Sequence, residues 1–277
     1  MPVNYFTVLC VALWSVSELA FAQLRVEGEW KQGALLHGQT APGNTVQVLD
    51  RSAHVDAQGR FVFGLGRDTP ASVSIVVSQP DGTQNAHVFD VAQREYPTQR
   101  IEGVAKKYVA PPPEVQARIK REAAKVWQAR QGASEFAYYA QGFSWPLLGP
   151  ITGVYGSQRV FNGVPKRPHY GLDIAGPVGA TVVAPAAGTV TLVDNNMYYS
   201  GGTLLLDHGH GVSSTFIHLS KILVEEGATV AQGDPIAEVG ATGRVTGPHL
   251  DWRINWFNQR LDPHLLLPPM PDAPKAK

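Results

Sequence analysis

Short stretches of alternating apolar and polar residues dominate the chain between positions 23 and 103. Residues 45–49 (TVQVL), 61–63 (FVF) and 73–77 (VSIVV) have the alternating or apolar pattern of half-buried and buried β-strands. The dipeptides Pro42-Gly43, Gln58-Gly59 and Asp81-Gly82 separate them. Such residues suit tight turns, so the pattern predicts a small antiparallel β-sandwich, similar to immunoglobulin-like modules, over residues 23–103.

The pattern changes to a helical one in a connector that we place at residues 104–135. Three prolines at 111–113 stiffen the chain, and a helix is predicted from about 114 to 130. Val115, Ile119 and Val126 recur at four and seven residues, which gives the helix a narrow apolar stripe. The helix is therefore expected to be a connector that lies on one of the domains.

Glycine-punctuated strands return in a second domain, residues 136–266. The best strand candidates are 181–185, 188–193, 203–206 and 214–217. Residues 227–240 predict a hairpin around Gly233-Asp234. The proline-rich tail, residues 267–277, is predicted to be disordered. The fold class is thus mainly β, with two β domains and a short helical connector.

The first 22 residues have the pattern of a signal peptide. An apolar run from position 6 ends in Ala20-Phe21-Ala22, an A-x-A cleavage pattern, so we expect an exported chain that begins at Gln23. Its 17 apolar-rich residues include Glu18 and are short for a membrane span. The single cysteine, Cys10, lies in this segment, so the mature chain would have neither a disulfide nor a thiolate nucleophile.

Overall charge argues against two classes of partner. The chain has 23 basic and 23 acidic residues, hence a formal net charge of zero. A nucleic-acid partner or an anionic membrane surface would favour a basic excess. We therefore expect no nucleic-acid partner, and no membrane span once the signal peptide is cleaved.

Metal-binding residue types gather in the second domain. Six of the nine histidines lie between positions 169 and 264. His169 and Asp173 are four residues apart, but Pro168 and Gly171 argue against a helix there. In a flat strand the two would be about 13 Å apart. Gly171 allows the backbone to bend and bring the imidazole and carboxylate to one cation.

A second group of polar residues follows strand alternation. His249, Asp251 and Arg253 fall on one face of a predicted strand, with apolar residues at 250, 252 and 254 on the other. Two interpretations stay open. The polar face supplies metal ligands or a ligand beside a catalytic group, or Asp251 pairs with Arg253 on a solvated strand.

His218 ends another apolar strand, in Phe216-Ile217-His218-Leu219-Ser220. A lone histidine in this setting is more often a hydrogen-bonded core residue than a catalyst. His208 and His210 lie in a glycine-rich turn and are interpreted as structural or supporting residues. Tyr155, Tyr198 and Tyr199 are candidates to line a groove, or else packing residues.

Residues 145 to 263 resemble the lysostaphin/LytM family of peptidoglycan metalloendopeptidases. The resemblance rests on an ordered series of motifs: Trp145-Pro146, Tyr155-Gly156, Val182-Val183-Ala184-Pro185, Gly201-Gly202, Leu206-Asp207-His208-Gly209, His218-Leu219-Ser220, Val239-Gly240 and Thr246-Gly247-Pro248-His249-Leu250. It implies an open, mostly antiparallel β fold whose groove binds one Zn²⁺ ion. It also implies cleavage of peptide cross-links in bacterial cell walls.

Site residues follow from the resemblance position by position. His169 and Asp173 match the first two zinc ligands, and His218 matches a catalytic histidine. His249 matches the first histidine of the family's H-x-H pair, whereas Asp251 stands at the second, which is the third ligand. Carboxylate oxygen binds zinc at about 2.0–2.2 Å, close to the distance for imidazole nitrogen. We therefore expect a His169, Asp173, Asp251 metal site with catalytic His218 and His249.

The resemblance implies an exported, zinc-dependent endopeptidase in the bacterial periplasm or outside the cell. Its expected partners are the peptide stems of peptidoglycan. A regulatory protein is an additional candidate partner. A second function stays open because Asp251 replaces a ligand. The chain would then be a catalytically silent relative that binds cell wall or activates another wall hydrolase.

Overall fold

The computed structural model describes residues 24–132 and 134–271. The expected signal peptide (1–22), with Cys10, lies outside these described residues, as does the end of the tail from residue 272.

Two small antiparallel sheets make up the N-terminal region. Its strands are β1 (Arg25–Glu27), β2 (Leu35–Gln39), β3 (Thr45–Val48), β4 (Arg51–Ala53), β5 (Arg60–Gly64), β6 (Ser72–Ser78) and β7 (Gln84–Asp90). They form a three-stranded sheet, β1-β2-β5, and a four-stranded sheet, β4-β3-β6-β7. The three strands expected from alternation are confirmed. The immunoglobulin-like assignment of this region stays a prediction.

The region between the N-terminal sheets and the strands of the second domain contains one strand, two α-helices and a short 3-10 helix. Its elements are β8 (Thr98–Ile101), α1 (Lys106–Val109), α2 (Pro113–Ala129) and a short 3-10 helix (Tyr138–Gln141). The predicted helix is confirmed, with Pro113 in its first turn, where a missing N–H costs nothing. No helix within the described ranges is long and apolar enough to cross a membrane.

The C-terminal region is built almost entirely of strands. They are β9 (Ile151–Gly153), β10 (Gln158–Phe161), β11 (Val164–Pro165), β12 (Leu172–Ala175), β13 (Thr181–Val183), β14 (Gly188–Met197), β15 (Gly201–Gly209), β16 (Val212–Leu219), β17 (Lys221–Ile222), β18 (Thr229–Val230), β19 (Pro235–Glu238), β20 (His249–Trp256) and β21 (Gln259–Leu261), followed by a 3-10 helix, Pro263–Leu266. The mainly β fold with an open antiparallel sheet is therefore confirmed.

An eight-stranded sheet organises this region in the order β18-β14-β15-β16-β20-β12-β9, with β21 added beside β20. One face buries Leu204, Phe216 and Trp252 in the core. Thr215 and Arg253 are opposite each other in the β16–β20 register, two positions from the Ile217–Asp251 pair. Because side chains alternate along a strand, these four residues share the second face.

The hairpin expected at residues 227–240 is wrong. A turn does occur there, with Gly233 at φ 90°. However, β18 pairs with β14, and β19 pairs with β13 and β17. The two strands therefore belong to different sheets, because each pairs with other strands instead of with its neighbour in sequence.

The apolar core runs without a break from the N-terminal sheets into the large sheet. Leu36 and Phe63 belong to the same buried cluster as Trp256 and Leu261. Gly64 permits this approach, since a Cβ there would lie 2.6 Å from the Leu261 side chain. The two β regions thus share one packed interior.

Both β8 and helix α2 pack against the large domain. Strand β8 pairs in parallel with β10, which extends a sheet of the second domain. Val126 and Ala129 of α2 pack on Leu192, Met197 and Leu205 of β14 and β15. Helix α2 therefore covers one end of the large sheet's second face, consistent with the expectation that it lies on one domain.

His208 is a structural residue at the centre of the core. It is fully buried, and its ring nitrogens bond the Ala187 carbonyl (2.7 Å) and the Ser214 hydroxyl (2.7 Å). Burial lowers the pKa of His208 from 6.5 to about 4. The folded protein therefore holds this imidazole neutral at pH values where the unfolded chain protonates it.

We predict that acid destabilises the fold through His208. Between pH 6.5 and about 4 the unfolded chain binds a proton that the folded chain does not, so the free energy of unfolding falls as pH drops. A shift of this size amounts to roughly 3 kcal/mol. Urea unfolding at several pH values should show a flatter pH dependence for His208→Gln than for the natural chain. Parallel pH profiles would contradict the assignment.

Candidate metal centre

The register of two strands brings two carboxylates together. Strands β12 and β20 pair antiparallel with Asp173 directly opposite Asp251. Directly opposite side chains on one face of a sheet have Cβ atoms about 4.5–5.5 Å apart. His169 lies in the loop before β12, where its N–H donates to the Ser157 carbonyl and its own carbonyl accepts from Gly156. Backbone hydrogen bonds thus fix all three residues.

His169, Asp173 and Asp251 form one compact buried group. Each offers a potential ligand atom, and these atoms lie within 4.8 Å of one another. Their exposed fractions are 2%, 6% and 1%. The structure therefore brings together the three residues that the sequence singled out as metal ligands, and their role as ligands stays a prediction.

Two glycines make room for the carboxylates. A Cβ at Gly171 would lie 2.1 Å from Asp251 Oδ1, and a Cβ at Gly153 would lie 2.2 Å from Asp173 Oδ2. The expectation for Gly171 was a bend that depends on its conformational freedom. Its observed contribution is the close approach of the loop to Asp251. Gly153 was not singled out from the sequence, since nothing near it in the chain indicates what it faces.

Two atoms of the group lack hydrogen-bond partners. His169 Nε2 and Asp173 Oδ1 are buried and unpartnered, and they lie 3.1 Å apart. His249 Nε2 lies 3.9 Å from the same Asp173 oxygen. Buried polar atoms without partners are uncommon and costly. Two such atoms that converge on one point, beside further donors, are typical of a cation site.

His218 and His249 stand side by side, with ring centroids 5.0 Å apart. His218 Nδ1 lies 2.8 Å from the Thr242 carbonyl, and His249 Nδ1 lies 2.8 Å from the Gly247 carbonyl. Because a carbonyl can only accept, each Nδ1 carries the proton, and Nε2 of the neutral ring is left as a base. Burial lowers the pKa of His218 from 6.5 to about 4, so this ring is neutral at pH 7.

Arg253 holds Asp251 with two hydrogen bonds. Its Nε donates to Asp251 Oδ1 at 2.9 Å, and its Nη2 donates to Oδ2 at 2.6 Å. Burial would raise the pKa of Asp251, but the guanidinium holds it well below its usual range. The pairing of Asp251 with Arg253, left open by the sequence, is therefore present. The strand is buried rather than solvated, and the polar face predicted for residues 249, 251 and 253 is confirmed.

A second arginine contacts the other carboxylate. Arg159, on β10, donates from Nη2 to Asp173 Oδ2 at 2.7 Å. Burial and the neighbouring Asp251 would raise the pKa of Asp173, yet the contacts with His169 and Arg159 leave it below its ordinary value. Arg159 was missed by sequence reasoning. Only the pairing of β10 beside the site, which is not local in sequence, brings it there.

The donor set suits a divalent metal ion in chemical type. An imidazole and two carboxylates are acceptable zinc ligands. Asp173 Oδ1 is unpartnered, and each oxygen of Asp251 spends one lone pair on Arg253 and keeps another. The two guanidinium groups balance the charge of the two carboxylates. A divalent ion would therefore be less strongly attracted here than to the same donors without the arginines.

A cavity of about 230 Å³ opens onto these residues. Asp173, His218 and His249 line it, together with Val104 and Tyr108 of the connector. The connector is held there by paired hydrogen bonds between the Val104 backbone and the Asn162 side chain, 3.1 and 2.7 Å. A segment interpreted from sequence as a connector thus forms part of the groove.

The candidate tyrosines Tyr155, Tyr198 and Tyr199 are not among the residues that line this cavity. Tyr155 is 2% exposed, and its hydroxyl donates to the Arg260 carbonyl at 2.7 Å, so it is a packing residue. Tyr199 lies under the guanidinium of Arg244, 4.7 Å from ring centroid to Cζ. Arg244 lines the cavity beside His218 and was not identified from the sequence.

Comparison with known proteins identifies the domain. Residues 167–263 match the model of Peptidase family M23. The chain is 41% identical over 121 residues to the peptidoglycan DD-endopeptidase ShyB of Vibrio cholerae, covering 44% of this chain and 26% of that protein. It is 32% identical over 127 residues to a lipoprotein NlpD/LppB homologue of Pseudomonas aeruginosa, covering 46% of this chain and 40% of the relative.

A solved structure resembles most of the chain. It is a crystal structure from Pseudomonas aeruginosa described as a candidate peptidase M23, with a TM-score of 0.69 and 28% sequence identity. The likeness covers 86% of this chain and 95% of that one. By contrast, the chain spans only about a quarter of the length of the Vibrio DD-endopeptidases that it matches. The segment that matches Peptidase family M23 includes His169, Asp173, His218, His249 and Asp251, and the C-terminal domain is therefore similar to the LytM-type peptidases of that family.

Proposed function

We propose that this protein is a metal-dependent endopeptidase that hydrolyses peptide cross-links of bacterial peptidoglycan. The observation that carries the proposal is the convergence of two unpartnered buried atoms, His169 Nε2 and Asp173 Oδ1, with the carboxylate of Asp251. Relatives named peptidoglycan DD-endopeptidases support the substrate class. Such a substrate places the protein in the periplasm or outside the cell, in line with the expected signal peptide.

His169, Asp173 and Asp251 would hold one zinc ion. When bound, the ion would supply Lewis acidity, which makes water more acidic and polarises a scissile carbonyl. The protein's part is to hold the carboxylates ionised, which Arg253 and Arg159 do by direct hydrogen bonds. Burial of the three residues keeps competing water away from them.

His218 and His249 would handle the protons. In each ring the Nδ1–H donates to a backbone carbonyl, which fixes the ring and leaves Nε2 available to accept a proton. The low pKa of His218 makes its imidazolium a strong acid, suited to return a proton to a leaving amine. His249 Nε2, 3.9 Å from Asp173 Oδ1, is the nearer of the two to the candidate ligands.

A second function is favoured by the hydrogen bonds between Arg253 and Asp251. An arginine that satisfies the third ligand, together with Arg159 on the second, gives a site that is electrically neutral without a metal. In that case the chain would be a silent relative that binds wall peptides or activates another wall hydrolase. A regulatory protein partner is part of either proposal.

Metal analysis and wall digestion test the main proposal together. We expect the purified protein to bind about one zinc ion and to release new free amines from cross-linked peptidoglycan. Replacement of His169 by alanine removes an uncharged ligand and should abolish both properties. His87→Ala, on β7 of the N-terminal region, is the matched control and should change neither. Metal-free protein that still sediments with peptidoglycan would instead support the silent relative.

Arg253 and a metal ion would both neutralise the carboxylate of Asp251, and this gives a further prediction. Arg253→Met leaves the buried carboxylate of Asp251 unpaired, which should destabilise the metal-free protein by about 3–5 kcal/mol. Zinc would then neutralise that carboxylate, so it should raise the melting temperature of the variant more than that of the natural chain. Thermal unfolding with and without zinc measures the difference.

The control for this prediction is Arg121→Met, because Arg121 is an exposed arginine of α2. It should respond to zinc as the natural chain does. An equal zinc response of the Arg253 variant and the natural chain would show that Asp251 is not a ligand.

A further inference from the structure

A second cavity, of about 280 Å³, lies between helix α2 and the second face of the large sheet. Three arginines line it: Arg130 at the end of α2, Arg253 on β20 and Arg260 on β21. The rest of its lining is more apolar than polar, with Val126, Met197 and Ile217 beside Ser200, Thr203 and Thr215. The cavity contains none of the candidate zinc ligands, although Arg253 bonds one of them.

Arg130 is almost completely buried and incompletely satisfied. Only 4% of the residue is exposed. Its Nη2 donates to Thr215 Oγ1 at 2.9 Å, whereas its Nε has no hydrogen-bond partner. Burial, reinforced by the charges of Arg260 and Arg253, lowers its pKa well below the usual value. Within the described ranges no carboxylate forms a salt bridge with it.

Arg260 also lacks an acidic partner, although it is only half-buried. Its guanidinium lies 5.7 Å from the ring centroid of Tyr170, and no salt bridge joins it to an acidic residue in the described part of the chain. Burial and the neighbouring Arg253 lower its pKa to about 10. One buried and one half-buried arginine therefore line one cavity without an acidic partner of their own.

The acidic residues nearby are already committed. Asp251 accepts both of its hydrogen bonds from Arg253. Glu122, on the outer wall, accepts from Arg118 Nε at 2.6 Å and from the Tyr198 N–H at 2.8 Å. The carbonyls at the end of α2 offset part of the Arg130 charge, but a helix terminus carries only about half a charge. The cavity therefore keeps a positive excess.

Buried like charges are unfavourable unless an anion joins them. The apolar wall indicates what kind of anion. A free phosphate needs polar contacts on every side, whereas a carboxylate attached to an aliphatic group presents its charge at one end only. The guanidinium fork also matches a carboxylate with two parallel hydrogen bonds. The cavity volume suits a small ligand, since it is near the lower end of ligand pockets.

We propose that this cavity is a binding site for the carboxylate of a small aliphatic ligand, such as the end of a short peptide, held by Arg130 and Arg260. Arg253 forms the boundary with the metal centre, because its Nε and Nη2 each donate one hydrogen bond to Asp251 and it also lines this cavity. The site goes beyond the proposed hydrolysis and requires neither a metal nor turnover.

The test uses the full chain, stripped of metal and dialysed free of chelator, so that no carboxylate can bind through an ion. N-acetylalanine is titrated while the Nε–Hε resonances of the arginines are followed by NMR. We expect saturable shifts for Arg130 and Arg260. N-acetylalanine amide, which has the same shape without the charge, should bind at least tenfold more weakly.

Variants locate the site. Arg130→Gln should weaken N-acetylalanine binding at least tenfold, and Arg121→Gln, on the exposed part of the same helix, should leave it unchanged. If Arg130→Gln does not fold, the comparison of acid and amide on the natural chain decides alone. Equal binding of acid and amide, no shift of either arginine, or tighter binding of inorganic phosphate would each overturn the proposal. Loss of wall hydrolysis alone would not affect these measurements.

Discussion

Everything at the centre depends on the register that sets Asp173 opposite Asp251 across strands β12 and β20. Two ionised carboxylates at adjacent positions repel each other, and burial makes that repulsion stronger. The fold can retain both charges only if cations neutralise them. Arg253 and Arg159 do so directly, each at hydrogen-bond distance from its own carboxylate. The arrangement of the site follows from this need for neutralisation.

The same constraint explains two glycines and a choice between functions. Gly153 and Gly171 leave the space that the carboxylate oxygens occupy, so the site could not tolerate larger residues without moving the charges. A metal ion and the two arginines offer alternative ways of neutralising the carboxylates. His169 Nε2 and Asp173 Oδ1 remain without hydrogen-bond partners even with both arginines in place. The site therefore keeps two potential metal-ligand atoms that the arginines do not satisfy. These two unsatisfied atoms are the physical reason for favouring a metal-binding enzyme over a silent relative.

Local patterns predicted the strands well, because alternation reports which face of a strand is buried. They correctly placed His249, Asp251 and Arg253 on one face of β20. The order of motifs also led to the family. Contacts between distant segments were not accessible in this way. Arg159 reaches Asp173 from another sheet, β18 and β19 pair apart rather than with each other, and the cavity under α2 joins residues more than 100 positions apart. Charged residues follow no periodicity along the chain that would predict these long-range contacts.

Arg253 connects the two candidate sites through one guanidinium group. Its Nε and Nη2 bond Asp251, and the same residue lines the arginine-lined cavity. An anion in that cavity would relieve the repulsion among Arg130, Arg253 and Arg260, and it would share the positive charge of Arg253 with Asp251. Any weakening of the hydrogen bonds to Asp251 frees carboxylate charge for a cation. Occupancy of the cavity and affinity of the centre for a metal are therefore linked by electrostatics, because a buried guanidinium cannot neutralise two anions as fully as it neutralises one.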